Sequence, residues 1–98
     1  MLVTNLTAKP HFVRAAAAYR IGLIGPAAKE AIPNLNVALR DERVLVRLRA
    51  AQALGRIGLA SYNSIEHLQF LSSESYLSVR EAAATAIAEI QSQSKPGP

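Results

Sequence analysis

No cysteine occurs in the 98 residues, which excludes a disulfide framework, a thiolate metal site and a cysteine nucleophile. Tryptophan is missing too, and three tyrosines with two phenylalanines are the only aromatics. Large rings therefore cannot build the core. Half of the residues are apolar and alanine supplies much of that half, so the interior has to come from close helix-to-helix contact. No run approaches the roughly 18 apolar residues that a membrane span requires. The opening MLVTNLTAK has neither the basic lead nor the apolar length of a signal peptide. A soluble cytoplasmic chain is the expectation.

Chemistry-bearing constellations are equally scarce. His11 and His67 stand far apart, with no second histidine or carboxylate at metal-ligand spacing. The acids Glu30, Asp41, Glu42, Glu66, Glu74, Glu81 and Glu89 form no recognisable acid/base pair. The pairs Ile24-Gly25 and Ile57-Gly58 read as helix ends, so no phosphate-cradling loop is expected. No catalytic, metal-binding or cofactor-binding residue is assigned, and no cofactor is expected.

What is present is an internal repeat. VRAAAAYRIGLIG begins at Val13, VRLRAAQALGRIG at Val46 and VREAAATAIAEI at Val79, with 33 residues and no gap between successive starts. The valines are each followed by Arg14, Arg47 and Arg80. Ala17, Ala50 and Ala83 share a column, as do Ala18, Ala51 and Ala84, and the isoleucine-leucine columns Ile21/Leu54/Ile87 and Ile24/Ile57/Ile90. Such self-similarity is the signature of a stacked repeat architecture, each unit burying its apolar face on its neighbours.

Each copy decodes as a helix pair. Val46, Ala50, Leu54 and Ile57 fall on one face at 3.6-residue spacing. The preceding segment puts Ala28, Ile32, Leu35 and Leu39 on one stripe, answered in the next copy by Ser61, Ile65, Leu68 and Ser72. Gly25 and Gly58 suit left-handed helix ends, and Pro26 a fresh start. Pro33 is read as opening a packed helix after a short turn over Pro26 to Ala31, a kinked single helix being the competing description. Glu66 stands at its place in the next copy, where the helix is free to be continuous. Ser78 and Glu81 have the spacing of a capping box.

The period alone does not choose among helix-pair families, since ankyrin and tetratricopeptide repeats have similar lengths. Neither a TPLH-like turn nor a tryptophan pattern is present. DERVLVRLRAAQALGRIG, Asp41 to Gly58, resembles the line D-x-x-x-x-V-R-x-x-A-A-x-A-L-G-x-I-G of the HEAT family, and GPAAKEAIPNL, Gly25 to Leu35, resembles its first helix. The likeness covers about residues 8 to 90, and the chain resembles especially the short alanine-rich repeats of phycobilisome lyases and bacterial scaffolds. It implies an all-α solenoid of antiparallel helix pairs, about two and a half repeats. The repeat domain is expected over residues 1–91, its copies centred on 13–25, 46–58 and 79–90, with 92–98 (SQSKPGP) as a flexible tail. The resemblance also implies a ladder between an acid ahead of each second helix and the arginine after its valine, here Asp41 with Arg14, Arg47 and Arg80. Ala8 and Glu74 depart from it, and Ala88 and Gln91 replace glycines in the third copy.

In HEAT stacks the second helix of each pair lines a concave surface. On this chain that face carries the columns Ala15/Leu48/Glu81, Ala16/Arg49/Ala82, Tyr19/Gln52/Thr85 and Leu23/Arg56/Glu89. Tyr19, Leu23, Leu48, Arg49, Gln52, Arg56, Glu81, Thr85 and Glu89 are the expected partner-binding residues of a noncatalytic scaffold. The ends expose Phe12 and Val13 on one side and Phe70, Leu71 and Ile87 on the other. That implies a fragment, self-association, or a module docking end-on. Charge is uneven, with a balance of +6 over residues 1–58 and −2 over residues 59–98. Nucleic acid is disfavoured as a partner because the arginines are spread around the helices and stacking aromatics are few. The alternative function, a subunit or fragment of a bilin lyase-like enzyme that attaches the chromophore of a phycobiliprotein, rests on the family likeness alone.

Overall fold

The computed structural model describes residues 5–94. From residue 11 onward five α-helices follow one another: α1 (His11–Ile24), α2 (Ile32–Ala38), α3 (Val44–Ile57), α4 (Ile65–Phe70) and α5 (Leu77–Ser94). Among the described residues there is no strand. α1, α3 and α5 lie side by side with α3 in the middle, while α2 packs on α3 and α4 on α5 as a second layer. The result is a slab 46 × 30 × 17 Å, the all-α helical-repeat solenoid the sequence implied.

Small side chains set the spacing. Nearly half of the buried apolar positions are alanine, among them Ala18, Ala50, Ala51 and Ala53, interleaved with Ile21, Leu54, Ile57 and Ile90. Glycine brings the helices closer still. A Cβ on Gly22 would stand 3.2 Å from Ala53 Cα, and one on Gly55 only 2.8 Å from Ala86 Cα. α1 meets α3, and α3 meets α5, as glycine against alanine.

Gly25 and Gly58 end α1 and α3 at φ 76° and 81°, the region that side-chain-bearing residues disfavour. Their N–H groups donate to Ile21 O and Leu54 O. After each, the chain tightens into a 3₁₀ segment, Gly25–Ala31 and Gly58–Ser64, before α2 and α4. Pro33 sits in the first turn of α2, where its missing N–H costs nothing. The second copy breaks at the same place although Glu66 replaces the proline, so the helix is not continuous there. Ser64 holds that break by donating from Oγ to Asn36 Oδ1 of the preceding pair at 2.7 Å.

The third copy departs from expectation. It lacks a terminating glycine, and α5 runs to Ser94, so residues 92–94, expected in the tail, are helical. Gln93 reaches back over Gly58 and accepts a hydrogen bond from Leu59 N at 2.9 Å. Residues 95–98 of the expected tail lie outside the described residues. α5 begins at Leu77, so Ser78 falls inside the first turn and is not a cap. Leu71 is buried, Val13 and Ile87 are half-buried, and Phe12 is exposed. Ser72 is exposed and leaves the expected stripe. Phe70 is exposed but carries the Arg40 guanidinium 4.2 Å from its ring centroid.

The arginine ladder locks successive copies. Arg14 Nε and Nη2 donate to Asp41 Oδ2 at 2.7 Å and Oδ1 at 3.1 Å. Asp41 Oδ1 also accepts from Arg43 N at 2.9 Å, fixing the entry to α3. One repeat on, Arg47 Nε lies 2.8 Å from Glu74 Oε1, close enough for an ion pair although out of line for a hydrogen bond. Glu74 is therefore a working substitute for the aspartate. Each arginine also holds its own loop: Arg14 Nη1 donates to Ala8 O, Arg47 Nη1 to Asp41 O and Arg80 Nη1 to Glu74 O. Partial burial pushes the Asp41 and Glu74 carboxyls up, but it is outweighed by the arginines they face and the N–H groups they accept, so both stay below the ordinary carboxylate range. The Arg14 guanidinium is correspondingly held more firmly protonated by its bond to Asp41.

Candidate protein-binding groove

α1, α3 and α5 present one face, crossed by two inter-helix grooves, and the two differ because one column changes size. The column Ala16/Arg49/Ala82 places an arginine over the first groove and an alanine in the second. Arg49 lies with its guanidinium carbon 4.9 Å from the Tyr19 ring centroid and donates from Nη1 to Gln52 Oε1 at 3.0 Å. Arg56 runs back over Gly22, where its Cδ would stand 3.6 Å from a Cβ. Together they leave only about 10 Å³ between α1 and α3. The first groove is filled by the protein itself.

The second groove is open, with a volume of about 430 Å³. α3 contributes Leu48, Gln52 and Arg56 at four-residue spacing, one stripe along its wall. The opposite wall is a stripe of α5: Ser78, Glu81, Ala82, Thr85 and Glu89. Three levels result from the shared register: Leu48 with Glu81, Gln52 with Thr85, Arg56 with Glu89. Glu89 folds its carboxylate over Gly55. On α5 the two acids are eight residues apart, or about 12 Å along the helix axis. The groove thus has a small apolar floor, a polar middle, and carboxylates at both ends with an arginine at one.

Of the residues expected on this face, Leu48, Gln52, Arg56, Glu81, Thr85 and Glu89 come together around the open groove. Tyr19 and Arg49 instead close the first one. Leu23 is exposed and lines neither, and Ala15, from the same set of columns, is buried beneath the face. Ser78, expected as a helix cap, and Ala82, on this face but not among the expected partner-binding residues, also line the groove. The arginine-to-alanine change at Ala82 was the signal available for it.

Two further hollows lie elsewhere, about 430 Å³ beside Asn34, Val37 and His67 and about 480 Å³ beside Tyr62, Glu66 and Gln91. Among the described residues no group of three or more acids and histidines is placed to hold a metal ion, and no helix is long and apolar enough to cross a membrane. No curated protein matches the chain. A family model described as HEAT repeats matches residues 2–88, a match to these repeats in general and not to the phycobilisome lyases. With the 33-residue register, the paired helices and the arginine joints already in place, a match over most of its length shows that this chain belongs to the HEAT-repeat family.

Proposed function

We propose that the chain is a noncatalytic scaffold that holds a segment of a partner protein in the groove between α3 and α5. The observation that carries this reading is the contrast of the two grooves. Between α1 and α3, Arg49 and Tyr19 fill the cleft. Where Ala82 stands in the arginine's place, a cleft of about 430 Å³ with an ordered set of polar groups remains. HEAT repeats commonly serve as interaction scaffolds, which is analogy at the level of fold and supports the reading without assigning a partner. The carboxylates of Glu81 and Glu89 repel a phosphate backbone and favour a protein segment presenting lysine or arginine.

A photo-crosslinking residue placed at Thr85 in the groove, and separately at Gln69 on the opposite layer, tests the assignment in the native lysate. A discrete protein adduct at Thr85 and none at Gln69 is expected. Ala82→Arg, which fills the second groove as Arg49 fills the first, should abolish that adduct while leaving helicity unchanged. Equal labelling at both sites, or an adduct indifferent to Ala82→Arg, would move the binding surface elsewhere.

A further inference from the structure

Arg80 is the third member of the column that begins with Arg14 and Arg47, and it makes half of their joint. Its Nη1 donates to Glu74 O at 2.6 Å and Ser75 O at 3.2 Å, as Arg14 and Arg47 do to their own loops. The other half of each joint is a carboxylate 27 residues downstream, Asp41 for Arg14 and Glu74 for Arg47. Among the described residues Arg80 meets no carboxylate.

The surface around Arg80 is open in the same register. Ala84 is exposed where Ala51 is fully buried, and Ile87 is half-buried where Leu54 is fully buried. Ala88 is exposed where Gly55 is buried under α5. This is the face of α5 that corresponds to the covered face of α3, and the two internal joints show what such a face accepts: a helix entered from a loop whose carboxylate reaches the arginine.

Two columns then decide which helix fits. Each internal joint sets glycine against alanine, Gly22 on Ala53 and Gly55 on Ala86. On the open face the glycine position is Ala88, so an occupant seated as closely has to bring the glycine itself. A second copy of this chain cannot do so. At the opposite end of the stack the alanine of the column Ala53/Ala86 is Arg20, which is exposed, and the acid of the column Asp41/Glu74 is Ala8. Head-to-tail stacking would set Arg20 against Ala88 and leave Arg80 without its carboxylate.

We propose that the outward face of α5 docks a helix from outside these 98 residues, one entered from a loop carboxylate that pairs with Arg80 and carrying a glycine opposite Ala88, and that the chain does not stack head to tail on itself. The surface is separate from the α3–α5 groove, and either assignment can fail without the other.

A variant of the chain supplies the defined probe. Ala8→Asp with Arg20→Gly builds the missing acid and the missing glycine onto the α1 end, and Arg80→Ala in the same molecule disables its own α5 end. Sedimentation velocity should show the wild-type chain alone and the triple variant alone as monomers, and their mixture as a one-to-one complex. Arg80→Ala in the wild-type partner should weaken that complex about tenfold or more. Arg80→Glu with a probe carrying lysine at position 8 should restore it. Circular dichroism of each variant establishes that it is folded. Head-to-tail assembly of the wild-type chain would overturn the proposal, as would a mixture of folded chains that stays monomeric or a complex indifferent to Arg80.

Discussion

Replacing Gly55 by alanine pits two opposed effects against each other, and the structure supplies the size of both. Gly55 lies inside α3, where alanine is intrinsically better by about 1 kcal/mol because it costs less backbone entropy. Against that, the new Cβ would stand 2.8 Å from Ala86 Cα and 3.0 Å from Ala86 Cβ, and it would also collide with the Glu89 carboxylate. The carboxylate can swing away, but the α5 backbone cannot move without carrying the third copy with it. Overpacking of this kind costs roughly 1–3 kcal/mol, and backbone contact places it at the upper end. The expected net loss is about 1–2 kcal/mol, or a fall in melting temperature of several degrees at this chain length. Gly22→Ala is the internal control. Its nearest backbone neighbour is 3.2 Å away and its flexible neighbour is Arg56 Cδ at 3.6 Å, so the propensity gain and the smaller strain should nearly cancel. Urea titration followed by far-ultraviolet circular dichroism measures both through the transition midpoint. Equal midpoints for the two variants, or a stabilised Gly55→Ala, would refute glycine-against-alanine packing as what sets the spacing of α3 and α5.

Acidification should weaken the joints in a defined window. Asp41 and Glu74 are held below the ordinary carboxylate range when folded, so the stability they contribute is fully present above that range and is lost as pH falls through their folded-state values. Melting temperature should therefore decline with decreasing pH below about 5, and Asp41→Asn with Glu74→Gln should flatten that decline; an unchanged slope would show the ladder to be electrostatically idle. Ser61 offers a stabilising change. Its hydroxyl is fully buried with no hydrogen-bond partner among the described residues, and the first copy has Ala28 in the same column. Ser61→Ala should raise stability by about 1 kcal/mol, read as an upward shift in melting temperature; a loss would mean that the hydroxyl is satisfied in solution.

Much of this architecture is legible in the letters because its repeats are nearly free of insertions. The valine, arginine and alanine columns fix which face of each second helix is buried, and Gly25 and Gly58 mark where the chain turns. The first helices were harder to read. The break before α4 does not depend on a proline, since Ser64 and Asn36 hold it from the neighbouring copy, a tertiary contact no local signal announces. The end of α5 was misplaced for a similar reason. Ser92, Gln93 and Ser94 look like linker, but Gln93 satisfies Leu59 N across the stack and carries the helix onward. For the groove, the columns mark the face on which it lies but not the division within that face. Arg49 and Tyr19 are expected to bind a partner from their position; in the structure they pack on each other over the first groove, and the open groove lies one further along.

Serial stacking itself is tested most directly by one distance. Spin labels at positions 23 and 89 sit in the same column two repeats apart, with α3 between them. If each helix spacing is about 8–10 Å, dipolar spectroscopy should give one narrow distribution centred near 20 Å, roughly twice the single spacing. A distance near 10 Å, which three helices closed into a bundle would give, or a broad distribution without a maximum, would contradict the stack on which the joints, the groove and the open face of α5 all depend.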